Sequence, residues 1–77
     1  MSFEVAQRHF VKRLEEIRES KGMSKQAFSE YLGLARYTYD YYVNRGGMPT
    51  LYTAMVIAAA LNMTVDQLLG IKGGDST

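Results

Sequence analysis

The sequence predicts an all-α domain of five helices. Three observations indicate this fold class: apolar residues recur at spacings of three and four, polar capping residues precede those apolar segments, and glycines follow several of them. The chain has 77 residues, which is enough for one small domain. We expect residues 1–72 to form that domain and residues 73–77, which are rich in glycine and polar residues, to be a disordered tail.

The first two helices are predicted from apolar spacing and from the glycines that end them. One face of the first helix is formed by residues seven, four and three positions apart: Phe3, Phe10, Leu14 and Ile17. This spacing predicts a helix from Glu4 to Lys21, ended by Gly22. Ser24 is a good N-cap for a second, short helix that Gly33 terminates.

The third helix is predicted over residues 35–44. This segment contains no glycine or proline, Tyr39 and Tyr42 stand one helical turn apart, and Gly46 with Gly47 follows as a break. A strand is the alternative, because three tyrosines also alternate: Tyr37, Tyr39 and Tyr41. An isolated strand would have nothing to pair with among helices, so we predict a helix.

The fourth and fifth helices begin at clear capping residues. Thr50, directly after Pro49, is an N-cap for a helix whose inward face is predicted to consist of Leu51, Ala54, Met55, Ala58 and Leu61. Thr64 and Gln67 have the spacing of a capping box, which opens a short fifth helix through Leu69.

Packing alone must hold this domain together. The chain has no cysteine and a single histidine, which excludes a disulfide framework and the usual zinc sites. We therefore expect neither a cofactor nor a metal. The predicted core consists of the apolar residues on the inward faces of the helices: Leu14, Ile17, Phe28, Leu32, Tyr39, Leu51, Ala58, Leu61 and Leu68.

Composition and motif content argue against several classes of protein. His9 is the only imidazole and no second group of known catalytic spacing accompanies it, so we expect no enzyme. The apolar centre of the longest uncharged stretch covers only residues 54–61, far below the ~20 residues that a membrane span needs. The N-terminus has no apolar segment of signal-peptide length, and we expect a cytoplasmic protein without a membrane partner.

The second and third predicted helices together have the helix-turn-helix arrangement. Ser29 is small where the two helices cross, Gly33 suits a left-handed turn, and Tyr39 and Tyr42 seat the second helix on the core. Any αα-hairpin has similar requirements. Geometry alone therefore leaves DNA binding and other roles open.

Three segments resemble the Cro and phage-repressor (xenobiotic-response-element) class of helix-turn-helix regulators. They are Ser24–Leu34, Pro49–Leu51 and Ala58–Leu69, and their register holds without a gap from about Phe10 to Leu69. The resemblance implies a lambda-repressor-like DNA-binding domain. It also implies a transcriptional regulator of prokaryotic or phage type, a repressor that binds a double-stranded DNA operator.

The resemblance also assigns DNA contacts, because in this family the second helix of the motif reads base edges in the major groove. The residues that it puts at the bases are Arg36, Tyr37, Asp40 and Tyr41. Those that it puts at the phosphates are Ser24, Lys25, Thr38, Asn44 and Arg45. The alternatives are surface or dimer packing for the tyrosines and a merely solvated charge for Arg36.

The charge distribution and two departures from the family pattern bear on this assignment. From Lys21 to Met48 there are four basic and two acidic residues, a net charge of +2 within a chain of net charge +1. Lys25 replaces a common glutamine and can neutralise a phosphate. Arg18 lacks the glutamate partner usual at the end of the recognition helix, which leaves Glu15, Glu19 or a phosphate as its partner.

We expect a two-fold homodimer, because operators of this class contain two half-sites about one helical turn apart. The residues predicted to form the dimer interface are apolar ones outside the inward stripe: Tyr52, Val56, Leu69 and Ile71. The alternative is that the fourth helix is simply the central helix of the monomer. An alternative function is a protein-interaction module on the same fold, such as an antitoxin or anti-repressor subunit.

Overall fold

The computed structural model describes residues 2–70 and contains five α-helices. Their bounds are α1 Phe3–Ser20, α2 Lys25–Tyr31, α3 Thr38–Arg45, α4 Leu51–Ala60 and α5 Val65–Leu69. Within residues 2–70 there is no strand, so the predicted all-α class is confirmed. The predicted tail, residues 73–77, and the predicted interface residue Ile71 lie outside the described part of the chain.

The predicted caps are present. The Ser24 hydroxyl accepts from the Ala27 N–H at 3.0 Å, and Thr50 caps α4 in the same way. At α5 the Thr64 hydroxyl accepts from the Gln67 N–H, and the Gln67 side chain accepts from the Thr64 N–H. These short-range bonds satisfy N–H groups that lack partners within the helix, which is why the sequence locates helix starts well.

Helix α3 begins three residues later than predicted and ends one residue later. Gly33 has φ +75° and turns the chain out of α2. The Ala35 carbonyl then accepts from the Thr38 N–H at 3.0 Å and from the buried Ser29 hydroxyl at 3.3 Å. The chain needs residues 35–37 for this turn. Arg36 and Tyr37 therefore lie on the turn that enters α3, not within the helix.

The core is formed by one cluster of buried side chains from all five helices: Phe10, Leu14, Phe28, Leu32, Tyr39, Tyr42, Ile57, Ala58 and Leu68. Six of the nine predicted core residues are among them, namely Leu14, Phe28, Leu32, Tyr39, Ala58 and Leu68. Ile17 and Leu61 are half-buried against the cluster. Tyr39 and Tyr42 both face inward, which confirms their predicted role in seating the second helix of the motif.

The predicted inward face of α4 is partly wrong. Leu51 is 73% exposed and Met55 is 55% exposed, whereas Ile57, which was not predicted, is completely buried. All residues of α4 except Thr53 are apolar, so hydrophobic periodicity does not identify the buried face. The helix turns Ala54, Ile57 and Ala58 toward the core instead.

Phe3 also differs from prediction, since it is 62% exposed. It lies in the first turn of α1, about 10 Å along the helix axis from Phe10.

Within residues 2–70, none of the helices has both the length and the apolar character that a membrane span requires.

Candidate nucleic-acid interface

Two aromatic contacts fix the orientation of α3. The Tyr39 ring packs edge-on against Phe28 of α2, with centroids 5.6 Å apart. The Tyr42 ring packs edge-on against Phe10 of α1 at 5.2 Å. Because these two tyrosines stand one helical turn apart and both point inward, the opposite face of α3 is presented to solvent.

A polar network joins α3 to α1 beneath that surface. The Tyr39 hydroxyl donates to the Glu15 carboxylate, and Arg18 donates to both oxygens of the same carboxylate at 3.0 and 3.2 Å. Arg18 also donates to the Met23 carbonyl at 2.8 Å and lies 3.8 Å from Glu19. Of the partners considered for Arg18, it thus uses Glu15 and Glu19.

The network shifts the pKa values of Glu15 and Tyr39. The hydrogen bonds from Arg18 hold the pKa of the Glu15 carboxyl below its ordinary value. Burial raises the pKa of the Tyr39 hydroxyl, and the neighbouring Glu15 carboxylate raises it further. Glu15 therefore remains ionised and Tyr39 remains a hydrogen-bond donor throughout the neutral pH range.

Three of the predicted base-contacting side chains are exposed, two on the turn that enters α3 and one in the middle of that helix. Tyr37 is 71% exposed and Tyr41 is 49% exposed. The Arg36 guanidinium, also exposed, lies 5.3 Å from the centroid of the Tyr37 ring, a cation–π arrangement. A groove of about 180 Å³ between α2 and α3 brings Arg36, Tyr37 and Asp40 together with Lys25.

Asp40, the fourth predicted base contact, is engaged within α3. Its carboxylate accepts from the Asn44 side-chain amide and lies 3.4 Å from the Arg45 guanidinium. Asn44 and Arg45 are both predicted phosphate contacts. The carboxylate therefore links the predicted base-contacting surface to the predicted phosphate contacts at the far end of α3.

The remaining predicted phosphate contacts lie at the start of α2 and of α3. Ser24 and Lys25 are exposed at the N-terminus of α2, and Thr38 is half-buried at the first position of α3. The Ser24 hydroxyl already caps α2. The two groups of predicted phosphate contacts flank the exposed surface of α3, whose eight residues span ~12 Å.

Sequence reasoning missed Gln26. This exposed residue lines the groove with Arg36 and Tyr37, and also a second groove of about 290 Å³ that reaches Glu30 and Leu34. Its amide carries both donors and acceptors beside the predicted base contacts. The sequence feature that could have indicated Gln26 is its position in the first turn of α2, directly after Lys25.

The residues predicted to form the dimer interface differ in their exposure to solvent. Tyr52 is 76% exposed, Val56 is half-buried, and Leu69 is half-buried against the monomer's own core. Tyr52 shares its side of α4 with three further exposed apolar residues. We name this surface the α4 patch: Leu51, Tyr52, Met55 and Ala59.

Comparison with known proteins agrees with the geometry. A family model described as helix-turn-helix matches residues 14–68, more than half of the chain. The comparisons with curated proteins and with solved structures gave no match. The matched range contains both helices of the motif, the Gly33 turn, and α4 with most of α5. The chain belongs to the Cro/phage-repressor family of helix-turn-helix proteins, a family of DNA-binding transcription regulators.

Proposed function

We propose that this protein is a sequence-specific regulator of transcription that binds double-stranded DNA as a homodimer and acts as a repressor in the cytoplasm, without enzymatic activity. One observation carries the proposal. Within a helix-turn-helix unit, an arginine and a tyrosine on the turn into the second helix and a further tyrosine on that helix are all exposed: Arg36, Tyr37 and Tyr41. Such an arrangement supplies the groups that read base edges in a major groove.

The base contacts follow from the chemistry of these side chains. The Arg36 guanidinium can donate two parallel hydrogen bonds to O6 and N7 of a guanine. Tyr37 and Tyr41 offer a hydroxyl to a base edge and a ring to a thymine methyl. The Asp40 carboxylate, which accepts a hydrogen bond from the Asn44 amide, can also accept from the amino group of a cytosine.

The phosphate contacts are proposed for cationic and hydroxyl groups on either side of α3. Lys25 and Ser24 approach one strand at the N-terminus of α2, where backbone N–H groups also favour an anion. Thr38, Asn44 and Arg45 approach the backbone along α3. A phosphate replaces the exposed Asp40 carboxylate as partner of Arg45 at little cost, because an exposed ion pair of this kind contributes less than about 1 kcal/mol.

The dimer is proposed to form through the α4 patch. The patch is apolar, and no residue of α4 is charged. A two-fold contact sets the same surface against itself, so a surface without like charges suits it. Of the residues predicted for the interface, Tyr52 lies in this patch, whereas the half-buried Val56 and Leu69 are not part of it. Leu51, Met55 and Ala59 are added to the proposed interface.

The decisive experiment is selection of a binding site from a randomised duplex library, followed by gel-shift titration at a stated salt concentration. We expect the selected duplex to bind about 10³-fold or more tightly than a scrambled duplex of equal composition. Equal affinities would refute sequence-specific recognition, and the absence of binding to both would favour the protein-interaction module.

The direction of regulation is tested separately. A reporter promoter overlapped by the selected duplex is placed in cells that express the protein. Lower expression than from the scrambled control supports a repressor, and higher expression identifies an activator.

A further inference from the structure

The N-terminal half of α1 contacts the C-terminal end of α3 through one side chain. The Gln7 amide nitrogen donates to the Tyr42 carbonyl at 2.7 Å and to the Gly47 carbonyl at 3.2 Å. Gln7 lies outside the residues that the family model matches, which begin at Leu14. The contact is therefore a feature of this chain that family membership does not assign.

The Gln7 contact provides a hydrogen-bond donor for a carbonyl at the C-terminal end of α3. The last four carbonyls of a helix have no partner within it, and the Tyr42 carbonyl is one of these, since α3 ends at Arg45. Gly46 then reverses the chain with φ +74°. With both hydrogen bonds of its side-chain amide formed, Gln7 fixes the C-terminal end of α3 and the backbone of Gly47 relative to α1.

Gly47 in turn sets the position of the Tyr41 ring. Gly47 is buried, and a Cβ atom added to it would overlap the aromatic carbons of Tyr41. The ring therefore lies directly against the backbone of Gly47. The Gly47 N–H also donates to the Tyr41 carbonyl at 3.0 Å. Any movement of the Gly47 backbone moves the surface on which the ring rests.

We infer that Gln7 and Gly47 are positioning residues for DNA recognition, which fix the direction in which Tyr41 meets a base pair. This inference rests on the proposed function. Gln7 itself is not a proposed DNA contact, because its amide nitrogen donates to two backbone carbonyls at the C-terminal end of α3. Its effect on affinity is transmitted through Gly47 to the Tyr41 ring.

The test uses Gln7→Met, which keeps the length of the side chain and removes both donors. We expect the affinity for the selected duplex to fall about tenfold, with preference relaxed at one base pair. The affinity for the scrambled duplex and the slope of affinity against salt should stay as in the wild type, because no phosphate contact is lost. His9→Met, an exposed change two residues away on α1, is the matched control and should change neither affinity.

A double-mutant cycle separates positioning from general loosening of the fold. If Gln7 acts through Tyr41, Gln7→Met should cost less than about twofold when introduced into Tyr41→Ala, because the two losses then overlap. Full additivity of the two losses would overturn the inference, as would equal weakening of both duplexes by Gln7→Met.

Gly47→Ala provides a second variant that does not depend on the Gln7 hydrogen bonds. The atoms nearest to its added methyl are ring carbons of Tyr41, so we expect the ring to shift. We expect the same relaxed preference at the same base pair. A change at a different base pair, or none, would contradict the proposed link from Gly47 to Tyr41.

The wild-type chain is titrated in parallel so that two kinds of failure can be told apart. Equal wild-type affinity for selected and scrambled duplexes would mean that the proposed function fails. Wild-type preference retained unchanged by Gln7→Met and by Gly47→Ala would mean that only the positioning inference fails.

Discussion

The hydroxyl of Tyr39 on α3 donates to the carboxylate of Glu15 on α1, although 24 residues separate them along the chain. Arg18 donates to the same carboxylate from the next turn of α1. Glu15 thus takes the place of the glutamate that this family usually has at the end of the second helix of the motif. Arg18 has an acidic partner on its own helix, and α3 reaches that pair through a tyrosine hydroxyl.

Removing the Tyr39 hydroxyl tests this link. Tyr39→Phe keeps the ring packed on Phe28 but deletes a hydrogen bond to a charged group, so we expect a loss of about 1–2 kcal/mol in the free energy of unfolding. Urea denaturation measures it. Tyr37→Phe removes an exposed hydroxyl and should change stability by less than about 0.5 kcal/mol. Equal losses in the two variants would show that the Glu15 contact contributes nothing.

Glu15 should contribute a pH-dependent part of the stability. Its pKa is lowered in the folded chain, chiefly by Arg18, so protonation favours the unfolded chain. The contribution is complete above the unfolded value, about 4.3, and is lost as the pH falls through the folded value.

We therefore expect Glu15→Gln to be less stable than the wild type at pH 7, by about 1–2 kcal/mol. This difference should shrink as the pH falls below about 4. Urea titrations at several pH values measure it. Glu16→Gln is the matched control, since Glu16 is more exposed and lies 3.9 Å from Arg13. A difference between Glu15→Gln and wild type that is independent of pH would contradict this account of the carboxylate.

Core truncations should distinguish the buried face of α4 from the face that was predicted. Ile57→Ala creates a cavity at a fully buried position and should cost about 2–5 kcal/mol. Leu51→Ala, at a position that is 73% exposed, should cost less than about 0.5 kcal/mol in a monomer. Thermal or urea unfolding at low protein concentration compares them. A large loss for Leu51→Ala under those conditions would restore Leu51 to the core.

Arg36 and Lys25 should affect DNA binding differently. Arg36→Ala should cost about 1–3 kcal/mol on the selected duplex and relax preference at one base pair. Lys25→Ala should weaken binding to all sequences alike and reduce the salt slope by about one. Gel-shift titrations over a range of salt concentrations measure both effects. If Arg36→Ala weakens selected and scrambled duplexes equally, Arg36 contacts only the backbone.

The α4 patch should control association. Tyr52→Glu places a charge at a position that is 76% exposed, so the monomer should fold as before while the two-fold contact brings like charges together. We expect wild type to sediment as a dimer at micromolar concentration and Tyr52→Glu to sediment near 8.7 kDa, with weaker operator binding. Lys12→Gln on α1 is the control, because it lowers the net charge by the same single unit at an exposed site outside the patch. A wild-type monomer with full operator affinity would remove the dimer.

The number of helices, most of their bounds and most of the core follow from local sequence patterns. Ser24, Thr50 and Thr64 mark helix starts because each caps N–H groups within three residues of itself, an interaction that depends only on local sequence. Tyr39 and Tyr42 were identified as inward-facing because one turn of helix separates them. The family resemblance rested on the same kind of local spacing, and the family match confirmed it.

The tertiary structure was needed to show which side of α4 is buried, because a helix that is apolar on every side carries no periodic signal. It also decided that Arg36 and Tyr37 lie on a turn, since the length of that turn depends on how α2 and α3 cross at Ser29. The hydrogen bonds of Gln7 join residues 35 and 40 positions apart. Nothing near Gln7 in the sequence indicates them, because a contact of this kind depends on where the fold brings α1 and the end of α3.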